Sequence, residues 1–324
     1  YAPRAANRLL KEGIVLQTAA RQFDANTGNG RVTFDYGTIV VSMGIQDPSN
    51  FAKIHALMDQ IASEDAVDVY ELTTGLSPAG IDLGSRNFNL LRKPEVMIVG
   101  GAGVSPNDVG EVWHLLDQRY DMELSIVEIP RFNSISLDKY NTIIMVNGNY
   151  NGLSSSGVDK LRRWVADGGT LILNRGAVNW ANRNGLVNVT YRSSDDSESD
   201  ESGSSEMGAG SLARYIDIQS ERGAQVIGGS IFRVNVDVTH PLFYGYRRAE
   251  MSVFRNTNTM LEPPSNAYAM PMQYDLDSPL MSGYISDANL DRIKGTAGII
   301  VGGIGSGKVI MMTDNPQFRA FWFG

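Results

Sequence analysis

The segment Asn141–Ala177, NTIIMVNGNYNGLSSSGVDKLRRWVADGGTLILNRGA, decides the fold that we expect for this chain. The apolar run 142–146 has the length of a strand, and residues 155–167 then place apolar side chains at helical spacing. Gly168-Gly169 ends this helix, since glycine is the usual stop at a helix C-terminus. The apolar run 170–173 follows at once. A strand, a helix and a second strand in this order predict a crossover unit of a parallel sheet.

The residues before this segment show the same alternation. The runs 95–101 and 124–128 have strand character, and a helical pattern lies between them over 106–119. Strands that alternate with helices predict an α/β fold with a doubly wound, mostly parallel sheet. We expect this main domain to cover 93–324.

A smaller α/β unit is expected over 1–92, before a hinge at Leu91-Arg92-Lys93-Pro94. Asp47-Pro48-Ser49 predicts a helix start, because proline is tolerated in the first turn. Strands are predicted on both sides of this helix, at 14–17, 31–34, 37–43 and 67–72. The second half of the unit therefore predicts a strand–helix–strand crossover of a parallel sheet.

Composition excludes several classes of function. The chain has no cysteine, so disulfides, Cys-ligated zinc and cysteine nucleophiles are excluded. Asp plus Glu is 36 against 28 for Lys plus Arg, a net charge of -8, which argues against a nucleic-acid partner. No apolar run approaches the length of a membrane span. The lack of cysteine favours export to the periplasm or the exterior, and both chain ends suggest an excerpt from a longer polypeptide.

Two segments invite a functional interpretation that their context does not favour. Residues 193–206 are rich in acid and serine, and they predict a disordered acidic loop, because their spacing matches no calcium-binding loop. Gly302, Gly307 and Lys308 match most of a phosphate-binding loop, but Val309 stands where Ser or Thr should hold magnesium. Because a strand pattern follows rather than a helix, we predict a glycine-rich hairpin turn.

The segment after the run 170–173 is the most informative for function. Together with the preceding strand and helix, Asn174-Arg175-Gly176 resembles the class I glutamine amidotransferase frame, including its protease-like and trehalose-utilisation-like relatives. In that family the strand runs into a nucleophile elbow of the form Cys-x-Gly. The resemblance implies a vestigial elbow with no catalytic residue, because an amide side chain at Asn174 is not nucleophilic at neutral pH.

A second resemblance covers nearly the whole chain. Four strings are similar to strings in large exported bacterial zinc carboxypeptidases, in the region after the carboxypeptidase A-like catalytic domain: 111–117 (EVWHLLD), 237–242 (DVTHPL), 279–285 (PLMSGYI) and 314–322 (DNPQFRAFW). This resemblance implies an accessory region whose partner is a peptidase domain of the same polypeptide. It also implies that zinc belongs only to that upstream domain, and that this chain has no metal or other cofactor.

The histidines do not form a metal motif. Only His55, His114 and His240 are present, and none belongs to H-x-x-E or H-E-x-x-H. We interpret His114 as structural and His240 as marking the exit of a strand at 231–236. If the elbow still forms a pocket, we expect His114, Gly148, His240 and Asp314 to lie around it.

The leading hypothesis is a non-catalytic accessory region that supports a peptidase domain or binds a peptide or glycan. One alternative is a diverged amidotransferase-like hydrolase with another nucleophile. Ser154, Ser155 and Ser156 are the nearest candidates, although serines at a helix start usually cap it. The other alternative is a free-standing carbohydrate- or peptide-binding module that uses the aromatic residues of 240–290: Phe243, Tyr244, Tyr246, Phe254, Tyr268, Tyr274 and Tyr284.

Overall fold

A computed structural model of the chain describes residues 2–192 and 226–318. The predicted acidic loop at 193–206 lies outside the described residues. The helices are α1 (Ala2–Lys11), α2 (Phe51–Glu64), α3 (Pro106–Trp113), α4 (Ile129–Ser134), α5 (Ser155–Ala166), α6 (Gly176–Arg183) and α7 (Asp287–Ile293). The strands are β1 (Gln17–Ala19), β2 (Phe23–Thr27), β3 (Gly30–Phe34), β4 (Ile39–Val40), β5 (Phe88–Leu90), β6 (Val96–Gly100), β7 (Leu124–Glu128), β8 (Thr142–Met145), β9 (Thr170–Asn174), β10 (Ser230–Val236), β11 (Glu250–Arg255), β12 (Met272–Tyr274), β13 (Leu280–Ser282), β14 (Ala297–Ile304) and β15 (Gly307–Met312).

The main sheet has ten strands, and the parallel strands at one end of it confirm the predicted α/β class. Strands β15, β9, β8, β6 and β7 are neighbours in that order and are all parallel. Strands β14, β12, β10 and β11 extend the sheet beyond β15 with antiparallel pairing, and β13 also pairs with β10. The sequence analysis did not predict this antiparallel extension.

The parallel strands form where the sequence has continuous apolar runs, because helices cover both faces of a parallel sheet. All five residues of β6 are buried. Helix α5 packs Leu161 and Val165 into the same core, and α6 adds Trp180. Ser154 starts α5 as predicted, accepting a hydrogen bond of 3.1 Å from the Gly157 N–H, a cap that typically stabilises a helix by about 1 kcal/mol.

The predicted hairpin at the glycine-rich segment is also confirmed. β14 and β15 pair from Ile299–Met312 to Ile304–Gly307, so Gly302 and Lys308 lie within paired strands rather than before a helix. Gly307 packs against α5 so closely that a Cβ atom there would lie 1.9 Å from the Val165 carbonyl oxygen. Gly307 is therefore required for this packing.

The first unit contains helices and strands, but the predicted parallel crossover within it is wrong. β1 lies between β4 and β5 with antiparallel pairing to both, and β2 and β3 form a separate hairpin. No strand forms over 67–72, where Val69 and Tyr70 are exposed and no continuous face is buried. Of the strand predicted at 37–43, only Ile39 and Val40 pair.

Hydrogen bonds and an aromatic stack join the first unit to the residues around the main sheet. The buried Asn7 side chain donates hydrogen bonds to the carbonyl oxygens of Tyr120 and Asp121, at 3.2 and 2.7 Å. The rings of Tyr36 and Tyr244 stack with centroids 6.2 Å apart. Within the described ranges, no helix is both long enough and apolar enough to cross a membrane.

Candidate functional site: the turn after strand β9

The turn from β9 into α6 holds a strained residue at the predicted elbow. Arg175 has φ 53° and ψ −116°, a combination that L-amino acids rarely adopt and that costs about 1–3 kcal/mol. Its N–H donates to the Met312 carbonyl oxygen at 2.8 Å, and the Gly176 N–H donates to Asn147 Oδ1 at 3.1 Å. The strained residue is thus Arg175. It lies one residue after Asn174, the position at which the resemblance places the nucleophile.

The side chain of Arg175 is held in an ion pair. Its Nη1 lies 3.3 Å from Asp108 Oδ2, and both side chains are largely buried. Asp108 in turn accepts a hydrogen bond of 2.9 Å from the Ser105 hydroxyl at the start of α3. Nε of Arg175 is buried and has no hydrogen-bond partner among residues 2–192 and 226–318. A guanidinium stays protonated and carries donors only, so it can bind an anion but cannot act as a nucleophile or a base.

Gly148 lies beside this turn, as predicted. Its backbone bridges to Val104, and a Cβ atom at Gly148 would lie 2.8 Å from the Val104 Cα. The carbonyl oxygen of Gly148 would lie 3.4 Å from a Cβ built at Gly176. The loops after β6, β8 and β9 therefore meet at the carboxyl ends of the parallel strands, which is where open α/β sheets bind their ligands.

Nearby, Tyr150 fixes the start of the loop after β8. Its hydroxyl donates to the Val146 carbonyl oxygen at 2.8 Å, and the side chain is fully buried. Burial, and to a lesser extent the Asp108 carboxylate, raise the pKa of Tyr150 far above its ordinary value. The phenol therefore stays neutral and acts as a structural hydrogen-bond donor.

The residues after β15 cross this edge of the sheet, and we call Asp314–Phe318 the strap. Asn315 Nδ2 donates to Glu111 Oε2 at 2.7 Å, and Gln317 Oε1 lies 3.4 Å from Asn174 Nδ2. The Phe318 ring stacks on Phe254 with centroids 4.3 Å apart. The strap therefore covers Asn174, which is only 2% exposed.

Asp314 belongs to a buried polar cluster rather than to the turn after β9. Its carboxylate accepts hydrogen bonds from Arg255 Nη1 at 3.0 Å and from the Tyr274 hydroxyl at 2.6 Å. Thr313 Oγ1 is a further partner of Arg255, at 3.1 Å. Burial opposes the charge of Arg255, but Tyr274 and Asp314 outweigh it and raise the pKa of the guanidinium. The cluster anchors the beginning of the strap.

The two predicted pocket histidines show no contact with Arg175 among the described residues. His114 is exposed at the end of α3, where the helix continues as a π-helical turn, His114–Arg119. His240 Nδ1 accepts a hydrogen bond of 3.2 Å from the Leu242 N–H and caps a 3₁₀ helix, Pro241–Phe243. Burial lowers the pKa of His240, although Asp237 opposes this. Of the four predicted pocket residues, only Gly148 lies against the turn.

Sequence reasoning missed Asp108, Asn147 and Gln317 as members of this site. A signal for Asp108 was present, because Ser105-Pro106-Asn107-Asp108 has the S-x-x-D spacing of a helix N-terminal capping motif. No comparable pattern marks Gln317, which lies 143 residues after its partner Asn174.

The aromatic residues of 240–290 do not form one surface. Phe243 and Tyr274 are buried, whereas Tyr268 and Tyr284 are 91% and 69% exposed. None of the seven lines either of two cavities in the described chain, one of about 570 Å³ beside Gly302 and Asn188 and one of about 410 Å³ beside Tyr191. In the same described ranges, no cluster of three or more His, Asp or Glu side chains could hold a metal ion.

Comparison with known proteins gives similarity of structure only. No protein-family model matches the chain, and no curated protein gives a significant match. Similar solved structures include PurLQS from Thermotoga maritima, 15% identical with a TM-score of 0.41, over 69% of this chain and 88% of that one. A ThuA-like protein from Bacteroides uniformis is 12% identical with a TM-score of 0.39, over 72% and 86%.

A beta-galactosidase from Bacillus circulans is 15% identical with a TM-score of 0.34, over 70% of this chain and 29% of that one. This chain therefore spans less than a third of that enzyme. With scores this low, the fold class rests on the strand order and pairing within the chain itself. The chain is an α/β protein whose parallel strands end in a strained strand-to-helix turn.

Proposed function

We propose that this chain is a non-catalytic accessory region with an amidotransferase-like frame, and that it serves a zinc carboxypeptidase-like domain of the same exported polypeptide. One observation carries the non-catalytic part. The strained turn that would present a nucleophile presents Arg175 instead, with its guanidinium 3.3 Å from Asp108. A guanidinium carries donors only and is not a nucleophile, and the Asp108 carboxylate is engaged by Arg175 and by the Ser105 hydroxyl.

The contacts of the other candidate residues support the same proposal. Ser154 Oγ accepts from the Gly157 N–H and lies 3.1 Å from Asn133 Oδ1, so it caps α5 and has no histidine beside it. His240 caps a 3₁₀ helix, and Asp314 is buried with Arg255. Ser154, His240 and Asp314 each have a structural partner.

The accessory role within a peptidase polypeptide rests on the four sequence strings at 111–117, 237–242, 279–285 and 314–322. Zinc would be held by the preceding catalytic domain, and export follows from the kind of protein that these strings resemble. Peptide is the ligand class we favour over glycan, because part of the aromatic set is buried and none of it lines either described cavity.

The non-catalytic proposal is tested by assaying the isolated chain on peptide, ester and primary-amide substrates. We expect no turnover above that of a matched Arg175→Ala variant, and no labelling by a fluorophosphonate probe. Turnover that disappears in His240→Ala or Asp314→Asn would overturn the proposal, and so would fluorophosphonate labelling at Ser154. Sequencing the reading frame upstream of Tyr1 tests the peptidase assignment, which fails if that frame encodes no H-x-x-E motif.

A further inference from the structure

Strand β14 has an unpaired edge beyond the end of its neighbour β12. At the base of the hairpin with β15, the Thr313 N–H donates to the Gly298 carbonyl oxygen at 3.1 Å. Residues of antiparallel strands alternate between bonded and non-bonded pairs, so the odd-numbered residues of β14 direct their N–H and C=O groups away from β15. Pairing with β12 reaches only Ile299. Within residues 2–192 and 226–318, no strand pairs with the outward groups of Val301 and Gly303, which we call the open edge.

The chain that precedes β12 turns away from the open edge. It forms a 3₁₀ helix, Ala267–Ala269, which lies near β14. The Met270 N–H donates to the Ala267 carbonyl oxygen at 3.2 Å, so this turn uses its backbone groups internally. The 3₁₀ helix therefore borders the open edge without adding a strand to it.

Two glycines stand at the open edge, and neither packing nor backbone conformation requires them. Neither Gly302 nor Gly303 takes a positive φ. A Cβ atom at Gly302 would lie 3.5 Å from the Met311 methyl group, and one at Gly303 would lie 3.6 Å from the Gly307 carbonyl oxygen, both ordinary contacts. Glycine inside a strand costs stability relative to alanine. It often marks a site where a ligand or another backbone approaches closely.

Both glycines line the larger of the two cavities, which has a volume of about 570 Å³. Val309 lies opposite Gly302 in the hairpin and belongs to the same wall, while Asn188 in the loop after α6 belongs to the other wall. Hydrogen bonds of 3.1 and 3.2 Å between Asn182 and the backbone of Val189 hold that loop in place. The cavity falls within the range of roughly 300–1,000 Å³ that is usual for ligand pockets. The open edge therefore borders a pocket of ligand size.

We propose that an extended peptide binds at the open edge and adds a strand to the main sheet beside Gly303. The backbone of a second strand supplies donors and acceptors at the spacing that the open edge presents. Gly302 and Gly303 let this backbone approach closely, and the buried Val309 gives the pocket an apolar wall for one peptide side chain. Asn188 offers an amide group from the opposite wall. This inference rests on the peptide binding in the proposed function and specifies where the peptide lies.

The first experiment measures backbone amide exchange by NMR in the full chain. Gly302 and Gly303 are a matched pair, because both are glycines but only Gly302 lies in a bonded pair with β15. The Gly303 N–H should exchange at least about tenfold faster than the Gly302 N–H, since only the latter must first open a ladder hydrogen bond. Equal exchange rates would overturn the open edge.

The second experiment selects ligands from a displayed library of short linear peptides, with the full chain as bait. Gly303→Pro removes the outward donor and no hydrogen bond to β15, because proline is tolerated where a strand N–H faces away from its ladder. Gly303→Ala is the control, since it keeps the donor and its Cβ has room. Selected peptides should bind the wild-type chain and Gly303→Ala alike, and Gly303→Pro at least about tenfold more weakly. In their presence, exchange at Gly303 should slow severalfold while exchange at Gly302 stays the same.

Modified peptides keep the test decisive if Gly303→Pro does not fold. N-methylation of one alternate set of residues in a selected peptide should abolish binding and methylation of the other set should preserve it, because an added strand uses only every second N–H. No selected peptide, equal binding to Gly303→Pro, or equal effects of the two methylation patterns would overturn the proposal. Dimers that Gly303→Pro abolishes would also overturn it, because the open edge would then pair two copies of this chain. Peptides that bind Gly303→Pro as tightly refute this edge and leave the accessory role intact, whereas turnover of a peptide would refute that role alone.

Discussion

Replacing Arg175 measures the strain stored in the turn after β9. Arg175→Ala and Arg175→Gly both remove the guanidinium and its contact with Asp108, so the difference between the variants isolates the backbone. At φ 53° a residue with a Cβ carries about 1–3 kcal/mol of strain, while glycine loses about 0.5–1 kcal/mol relative to alanine through chain entropy. We therefore expect the glycine variant to be the more stable by about 1 kcal/mol.

Urea unfolding followed by tryptophan fluorescence measures this difference. Asn179 provides the matched control, because it is exposed within the same helix, α6, at an unstrained position. There the order should reverse, with Asn179→Gly less stable than Asn179→Ala by about 1 kcal/mol. If glycine is the less stable residue at both positions, the turn stores no strain and the argument for a retained elbow fails.

Three further predictions concern packing and charge. Arg255→Ala should lower the free energy of unfolding by about 3–5 kcal/mol, because it leaves the buried carboxylate of Asp314 without its cationic partner. A loss below about 1 kcal/mol in urea unfolding would contradict this. Gly307→Ala should lower the thermal midpoint, whereas Gly303→Ala, whose Cβ would meet nothing closer than 3.6 Å, should not; equal shifts would refute the packing argument. A hydrogen bond from Arg192 lowers the pKa of Glu262 in the folded protein from its ordinary value of 4.5. The ionised carboxylate therefore stabilises the fold above pH 4.5, and this contribution is lost as the pH falls through the lowered pKa of the folded state. Glu262→Gln should therefore flatten the acid side of the stability–pH profile, and an unchanged slope would count against the pair.

The parallel half of the sheet could be predicted because its signal is local. Strands covered on both faces read as continuous apolar runs, and β6 and β8 are such runs. Helix α5 adds a serine cap and a Gly-Gly stop, which are also short-range features. The elbow assigned to Asn174-Arg175-Gly176 rests instead on the resemblance to the amidotransferase frame.

The first unit and the strap depend on contacts that are distant in sequence. In the order β4-β1-β5, the short strand Gln17–Ala19 pairs with 39–40 on one side and with 88–90 on the other. No local pattern specifies that pairing. The residue that takes the positive φ in the turn is fixed by Met312 and Asn147, which hold the N–H groups on either side of the bend. The resemblance therefore placed the nucleophile position of the elbow at Asn174, one residue before the strained residue Arg175.

An arginine is a costly residue for this turn, since glycine would relieve the backbone strain and still allow the chain to bend. The guanidinium offsets this strain only if its own interactions contribute more than the strain costs. The ion pair between Arg175 and Asp108 is partly buried, with a separation of 3.3 Å, and it leaves Nε unpaired among the described residues. It therefore offsets little of the backbone strain. The strain and the unpaired donor therefore occur together at Arg175, where the ion pair with Asp108 compensates neither in full.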